Sequence, residues 1–144
     1  MNIASDSVTP SYDATKAENI ETIRLSVRQL CEKFGEDYWL DMDRTNGYPT
    51  DFVKELTTSG YLGVLIPEEY GGAGLGVLEA SAVMEEICRS GAHAGVCHAQ
   101  MYVMGSVLRH GSDEQKKQYL PKIASGEIRT VSYTHLTLPT IFRV

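Results

Sequence analysis

Residues 92–108, Ala92-His93-Ala94-Gly95-Val96-Cys97-His98-Ala99-Gln100-Met101-Tyr102-Val103-Met104-Gly105-Ser106-Val107-Leu108, carry no Asp, Glu, Lys or Arg, and a helix built from them is apolar or small on nearly every face. Such a helix belongs in the middle of a bundle, so the stretch predicts a central, wholly surrounded helix and an all-α fold around it. On the C-terminal side, Ser112 and Gln115 have capping-box spacing and open a further helix with Tyr119 and Leu120 expected inward. Pro121 should kink or restart that helix before Ser125-Gly126. On the N-terminal side, Ala80, Val83, Met84 and Ile87 form one stripe over Val77–Ser90, while Glu79, Glu85, Glu86 and Arg89 are expected in water, with Gly91 as the stop.

Earlier in the chain the same logic repeats. Thr15 and Glu18 have capping-box spacing, and Ile20, Ile23, Val27, Leu30, Cys31 and Phe34 recur at three- and four-residue intervals until Gly35. Glu36–Met42 predicts a short helix packing Tyr38 and Trp39, closed by the turn Thr45-Asn46-Gly47. Thr50 is expected to cap another helix with Phe52, Val53 and Leu56 inward and Gly60 as its end. Tyr61–Pro67 can be a strand by composition, but with helical neighbours it is expected to be a coil crossing the core. Together these segments make an antiparallel bundle of five or six helices. Residues 1–14 are expected to be a disordered leader, 15–129 the helical domain and 130–144 an aberrant tail.

Composition narrows the functional classes. At 144 residues, 42% hydrophobic and 22% charged, the chain is one ordinary domain able to bury a core. A net charge of -6, with no basic cluster beyond Lys116-Lys117, argues against a nucleic-acid or anionic-membrane surface. The absence of a predominantly apolar run of about 18 residues argues against a membrane span. The first residues lack the pattern of a secretory signal or an Arg-rich targeting segment, and three cysteines without C-x-x-C spacing suit reduced thiols, so the expected location is cytoplasmic.

Few residues offer chemistry. The run Tyr70-Gly71-Gly72-Ala73-Gly74-Leu75-Gly76 precedes a helix, where backbone amides can hold phosphate, but it lacks G-x-G-x-x-G spacing and a following Lys-Ser/Thr, and a structural turn is expected. Cys97 and His98 are adjacent and point about 100° apart on a helix, which excludes a nucleophile–base pair. Along the central helix, His93, His98, Gln100, Tyr102 and Ser106 either find backbone partners or face a cavity. In the second case His98 and Tyr102, one turn apart, share a face with Gly95 and Ala99 and line a channel for an apolar ligand. No carboxylate or second histidine stands three or four places from His98, which argues against a metal site there.

Tyr48-Pro49-Thr50-Asp51-Phe52-Val53, Leu65-Ile66-Pro67-Glu68-Glu69-Tyr70-Gly71-Gly72, Met84-Glu85-Glu86-Ile87, His110-Gly111-Ser112-Asp113-Glu114-Gln115-Lys116 and Tyr119-Leu120-Pro121 with Gly126-Glu127 succeed one another in an order that resembles the N-terminal helical domain of the acyl-CoA dehydrogenases, over about residues 17–129. The resemblance implies an FAD enzyme, usually a homotetramer, that desaturates an acyl-CoA thioester at its α and β carbons and passes electrons to an electron-transfer flavoprotein. It assigns no catalytic or flavin-binding residue to this segment. It does carry over Gly95, His98, Ala99 and Tyr102 as acyl-contacting candidates, with Tyr102 and His98 suiting a short or branched chain.

After Arg129 the resemblance ends. Val131–Val144 lacks the family's strand and its Thr-Glu-Pro and Gly-Ser-Asp sequences. It looks like translated adapter or out-of-frame sequence, with a genuine divergent strand as the alternative. On that reading the chain alone is expected to be inactive and to expose apolar surface prone to association. A same-fold flavin monooxygenase or oxidase, and a non-enzymatic helical binding module, are the alternatives in function.

Overall fold

The computed structural model describes residues 14–129, with side chains from residue 18 onward. The expected leader and tail lie outside the described residues, except that Ala14 is already helical, and the Thr15 side chain expected to cap the first helix lies outside them too. The described residues form six α-helices and no strand: α1 Ala14–Glu32, α2 Glu36–Thr45, α3 Thr50–Thr58, α4 Val77–Arg89, α5 Gly95–His110 and α6 Asp113–Ala124. Two short 3-10 turns, Tyr61–Gly63 and Glu68–Tyr70, lie between α3 and α4.

Two helix pairs frame the core. α1 lies along α4, and α5 lies along α6. The second pair is antiparallel, because Val107 and Gly111 border the same groove as Gln115, Val103 borders it with Tyr119, and Gln100 reaches the backbone of Ile123. Between the pairs sit α3 and the Tyr61–Gly63 turn. The shared core is Val27, Leu30, Phe52, Leu56, Leu62, Ile66, Val83, Ile87, Met104 and Leu120, with their smaller neighbours. Replacing one such residue by alanine in a core of this kind costs about 2–5 kcal/mol.

α2 has no fully buried residue. It is held by an aromatic cluster in which Phe34 meets Tyr38 and Phe52, and Trp39 meets Tyr38 and Phe52, all edge to face with centroids 4.9–5.2 Å apart. The indole N–H of Trp39 donates to the Phe34 carbonyl at 2.9 Å. Asn46, left-handed at φ 49°, ends α2 as the turn expected there, with the Gly47 N–H returning to Met42.

The apolar connector after α3 is buried as expected, and its carbonyls are satisfied by the glycine-rich run. The amides of Gly72, Ala73, Gly74 and Leu75 donate to the carbonyls of Pro67, Gly63, Ile66 and Val64. Gly72 passes so close to the connector that a Cβ there would lie 2.1 Å from the Ile66 carbonyl oxygen, so no other residue fits.

Five expectations need correction. Thr50 does not cap α3: the helix already accepts at Pro49, from the Val53 N–H, which makes Thr50 its first residue, and the Thr50 hydroxyl turns back to Tyr48. α6 runs through Pro121 to Ala124 without restarting. Leu120 and Ile123 take its inward positions, leaving Tyr119, about 100° away, exposed. The central helix α5 is not wholly surrounded, since His98, Tyr102 and Ser106 are exposed.

The fifth correction matters most: Glu86, expected in water, has a side chain only 1% exposed. Arg28 grips it with Nε on Oε2 and Nη2 on Oε1, both at 3.1 Å, and Arg24 adds Nη1 on Oε1 at 3.3 Å while its other Nη holds exposed Glu85 at 2.6 Å. The Arg28 hydrogen bonds hold the Glu86 carboxyl below the usual carboxylate range, against burial, which pushes the other way; Arg24 adds to the lowering. With the folded value lowered, this contribution to stability is complete above about pH 4.5 and disappears as the pH falls through the folded value. Glu86→Gln should therefore cost roughly 1.5–3 kcal/mol near neutral pH, and the difference from the parent should shrink as denaturation is followed into acid. Arg28→Met should destabilise more than Arg24→Met, because Arg28 makes two of the three bonds to Glu86.

Candidate functional site

α5 begins at Gly95 because the preceding segment breaks at Gly91, which takes φ 79° beyond the end of α4. Its inner side buries Cys97, Gln100, Met101 and Met104. Its outer side carries the four residues singled out by sequence, which lie three or four places apart. The structure brings the His98 and Tyr102 rings into a stack, 6.2 Å between centroids and 12° from parallel, with both residues exposed and Tyr102 52% so. Ala99 lies half-buried beside them. Gly95 stands at the helix start, where a Cβ would come within 3.0 Å of the His93 ring, so a side chain there would displace His93.

The four residues form an open wall. The neighbouring cleft, about 580 Å³, reaches α5 only at Val96 and is otherwise bounded by Trp39, Met42, Tyr48, Pro49 and His93 with the loop residues around them. A second cleft of about 520 Å³ lies beside Arg28, Glu86 and Arg89.

Other candidates resolve into structure. Ser106 donates to the Tyr102 carbonyl at 3.1 Å, and Gln100 donates to the carbonyls of Ile123 and Ile128, both at 3.3 Å. Cys97 is fully buried on the side of α5 away from His98, and burial pushes its thiol up to about 12, so it is no nucleophile. The amides of Gly72, Ala73 and Gly74 are committed to the connector, and the Gly76 N–H donates to the Glu79 carboxylate at 2.9 Å; a phosphate would have to displace these bonds. Among the described residues, no group of three or more His, Cys, Asp or Glu is placed to hold a metal ion, and no helix is long and apolar enough to cross a membrane. Nor does any buried side-chain polar atom among them lack a partner.

Sequence reasoning misses one residue. Glu86 reads as a solvated acid because its partners lie about sixty positions away, although Arg24 and Arg28, one turn apart on the first helix, are a visible signal. Gln100, expected to find backbone partners or face a cavity, takes the first course, although no sequence pattern marks the carbonyls it finds, those of Ile123 and Ile128.

An all-helical domain whose fifth helix has one open side carrying a stacked ring pair, and which has no group of three or more His, Cys, Asp or Glu placed to hold a metal ion among its described residues, is the class this geometry defines. Comparison with known proteins makes it specific. The model of the acyl-CoA dehydrogenase N-terminal domain matches residues 17–127, and the chain belongs to that family. It is 34% identical over 114 residues to acyl-CoA dehydrogenase FadE12 of Mycobacterium tuberculosis, covering 78% of this chain and 29% of that protein. It is 36% identical over 137 residues to mitochondrial isovaleryl-CoA dehydrogenase of Bos taurus, covering 85% and 30%. The chain thus spans under a third of the length of these relatives. Among solved structures it superposes with TM-score 0.68 at 28% identity on a chain from work on the electron transferring flavoprotein of Acidaminococcus fermentans, covering 76% of this chain and 29% of that one. A steroid ACAD variant, at 24% identity and TM-score 0.67, covering 78% and 31%, shares the fold.

The thiol geometry gives a direct check. In the native protein, an aromatic disulfide reagent at pH 8 should titrate exposed Cys88 quickly and leave buried Cys31 and Cys97 until denaturant is added. Cys88→Ser should remove the fast phase, and a second fast thiol would contradict the burial of Cys31 on α1 or of Cys97 on α5.

Proposed function

We propose that residues 15–129 are the N-terminal helical domain of an FAD-dependent acyl-CoA dehydrogenase and that the outer side of α5 is one wall of its acyl pocket. The observation that carries this reading is the exposed His98–Tyr102 stack, with Gly95 and Ala99 beside it, on a helix otherwise built for burial. Small residues leave room for an alkyl chain, and the two rings limit its length. The isovaleryl-CoA dehydrogenases among the relatives support a short or branched acyl group.

The reaction needs a base for the α proton and an acceptor for the β hydride. Neither is assigned to the described residues. Glu86 is committed to two arginines, and the glycine-rich amides are committed to the backbone. These residues do not fit a flavin cradle, so the reading places FAD and the catalytic base in a further part of the enzyme, and residues 14–129 alone should oxidise no thioester. An electron-transfer flavoprotein as acceptor, a homotetrameric assembly and a cytoplasmic location complete the proposal.

The test is a substrate panel on a complete enzyme carrying residues 15–129. Tyr102→Ala should move the preferred acyl chain to greater length, with kcat/KM for a chain two carbons longer rising relative to the parent by roughly tenfold, about the worth of one or two buried methylenes. An unchanged chain-length profile in a stable variant overturns the assignment of α5 as the wall.

A further inference from the structure

Gln100 lies opposite the outer wall of α5, nearly buried, and its single amide group serves two carbonyls five residues apart, those of Ile123 in the last turn of α6 and of Ile128 beyond it. The Ile123 carbonyl, at the helix end, accepts the Gly126 N–H at 3.2 Å, and the Gln100 side chain from the neighbouring helix adds a second donor to it. The chain between them folds back sharply. Gly126 takes φ 77°, and a Cβ on it would lie 2.8 Å from the Thr57 methyl, so the turn is pinned against α3. The Ile128 N–H donates to the Lys122 carbonyl at 3.0 Å, and Lys122 pairs with Glu127 at 3.4 Å. Arg129 then stacks its guanidinium over the Tyr48 ring at 5.2 Å.

The geometry points to Gln100 as a positioning residue. It locks the segment Ser125–Arg129 to the buried side of the helix whose outer side carries Gly95, His98, Ala99 and Tyr102, so the wall and the chain leaving the bundle keep one register. The significance of that register rests on the dehydrogenase reading, in which the next domain must meet the wall; the clamp itself rests on the hydrogen bonds.

The test uses the full 144-residue chain with Gln100→Leu, which keeps the volume and removes both donors, and Gln100→Glu, which places a carboxylate against two carbonyls. Amide exchange measured by NMR, the Arg129 side-chain shift caused by the Tyr48 ring, and exchange across α1 and α4 are recorded together. In Gln100→Leu, protection of the Ile128 amide should fall by roughly tenfold and the Arg129 shift should move to its unstacked value, while α1 and α4 keep their protection; Gln100→Glu should go further. Unchanged Ile128 exchange and an unchanged Arg129 shift would overturn the proposal. So would an equal loss of protection in α1 and α4, which would make Gln100 an ordinary core residue. If Gln100→Glu does not fold, Gln100→Leu decides alone. Failure of the dehydrogenase reading would show as a complete enzyme without thioester oxidation and would leave these exchange rates unaltered.

Discussion

The bundle depends on a carboxylate placed where carboxylates seldom survive. Glu86 is removed from water at the α1–α4 contact and is tolerated because three charge-assisted hydrogen bonds from Arg24 and Arg28 satisfy it. An apolar residue in its place could pack there, but it would not dictate how α1 sits along α4. The bidentate fork of Arg28 does, since sliding either helix by one turn would strand a buried charge. Because α1 and α4 supply Val27, Leu30, Cys31, Val83 and Ile87 to the same core as α3, α5 and α6, that register is inherited by the whole domain.

A second constraint comes from the connector between α3 and α4. A segment crossing a core outside an α-helix must find partners for its backbone; here the amides of Gly63 and Ile66 turn back to Gly60 and Gly63, and the carbonyls of Gly63, Val64, Ile66 and Pro67 accept from the glycine-rich run next in the chain. The glycines serve close approach: at Gly72 the two backbones leave no space for a Cβ. A sequence that invites a phosphate-binding interpretation is thereby bound to its own chain, and the contest is settled by where the amides point.

What the sequence revealed depended on range. The Ser112–Gln115 capping box, the ends of α2 and α4 at Asn46 and Gly91, and the inward stripe of α4 are local patterns within one or two turns, and each appears where it was expected. The misreadings have longer-range or finer causes. Glu86 needed knowledge of α1 as its neighbour. Tyr119 and Leu120 are adjacent apolar residues of which only one can face inward, and the choice fell to the one aligned with Ile123. Thr50 and Pro49 differ by a single position at a helix start, where the backbone carbonyl decided the matter rather than the hydroxyl. Of the candidate site, the shared helix face and the ring pair were legible in the spacing, whereas the openness of that face was not.

That openness arises from how apolarity is distributed around α5. The helix has two unlike sides, a buried one holding Met101, Met104, Cys97 and the Gln100 amide, and an uncovered one of small residues and stacked rings. Composition alone cannot tell a side chain buried by its own domain from one meant to be buried by a ligand or another domain, because both are selected to avoid water. The hydrogen bonding separates them. On the inner side Gln100 is tied to two backbone carbonyls, as a permanent interior requires, while on the outer side the rings of His98 and Tyr102 lean on each other across solvent. A helix closed by its own domain on one side and open on the other is the feature on which the proposed acyl-pocket wall rests.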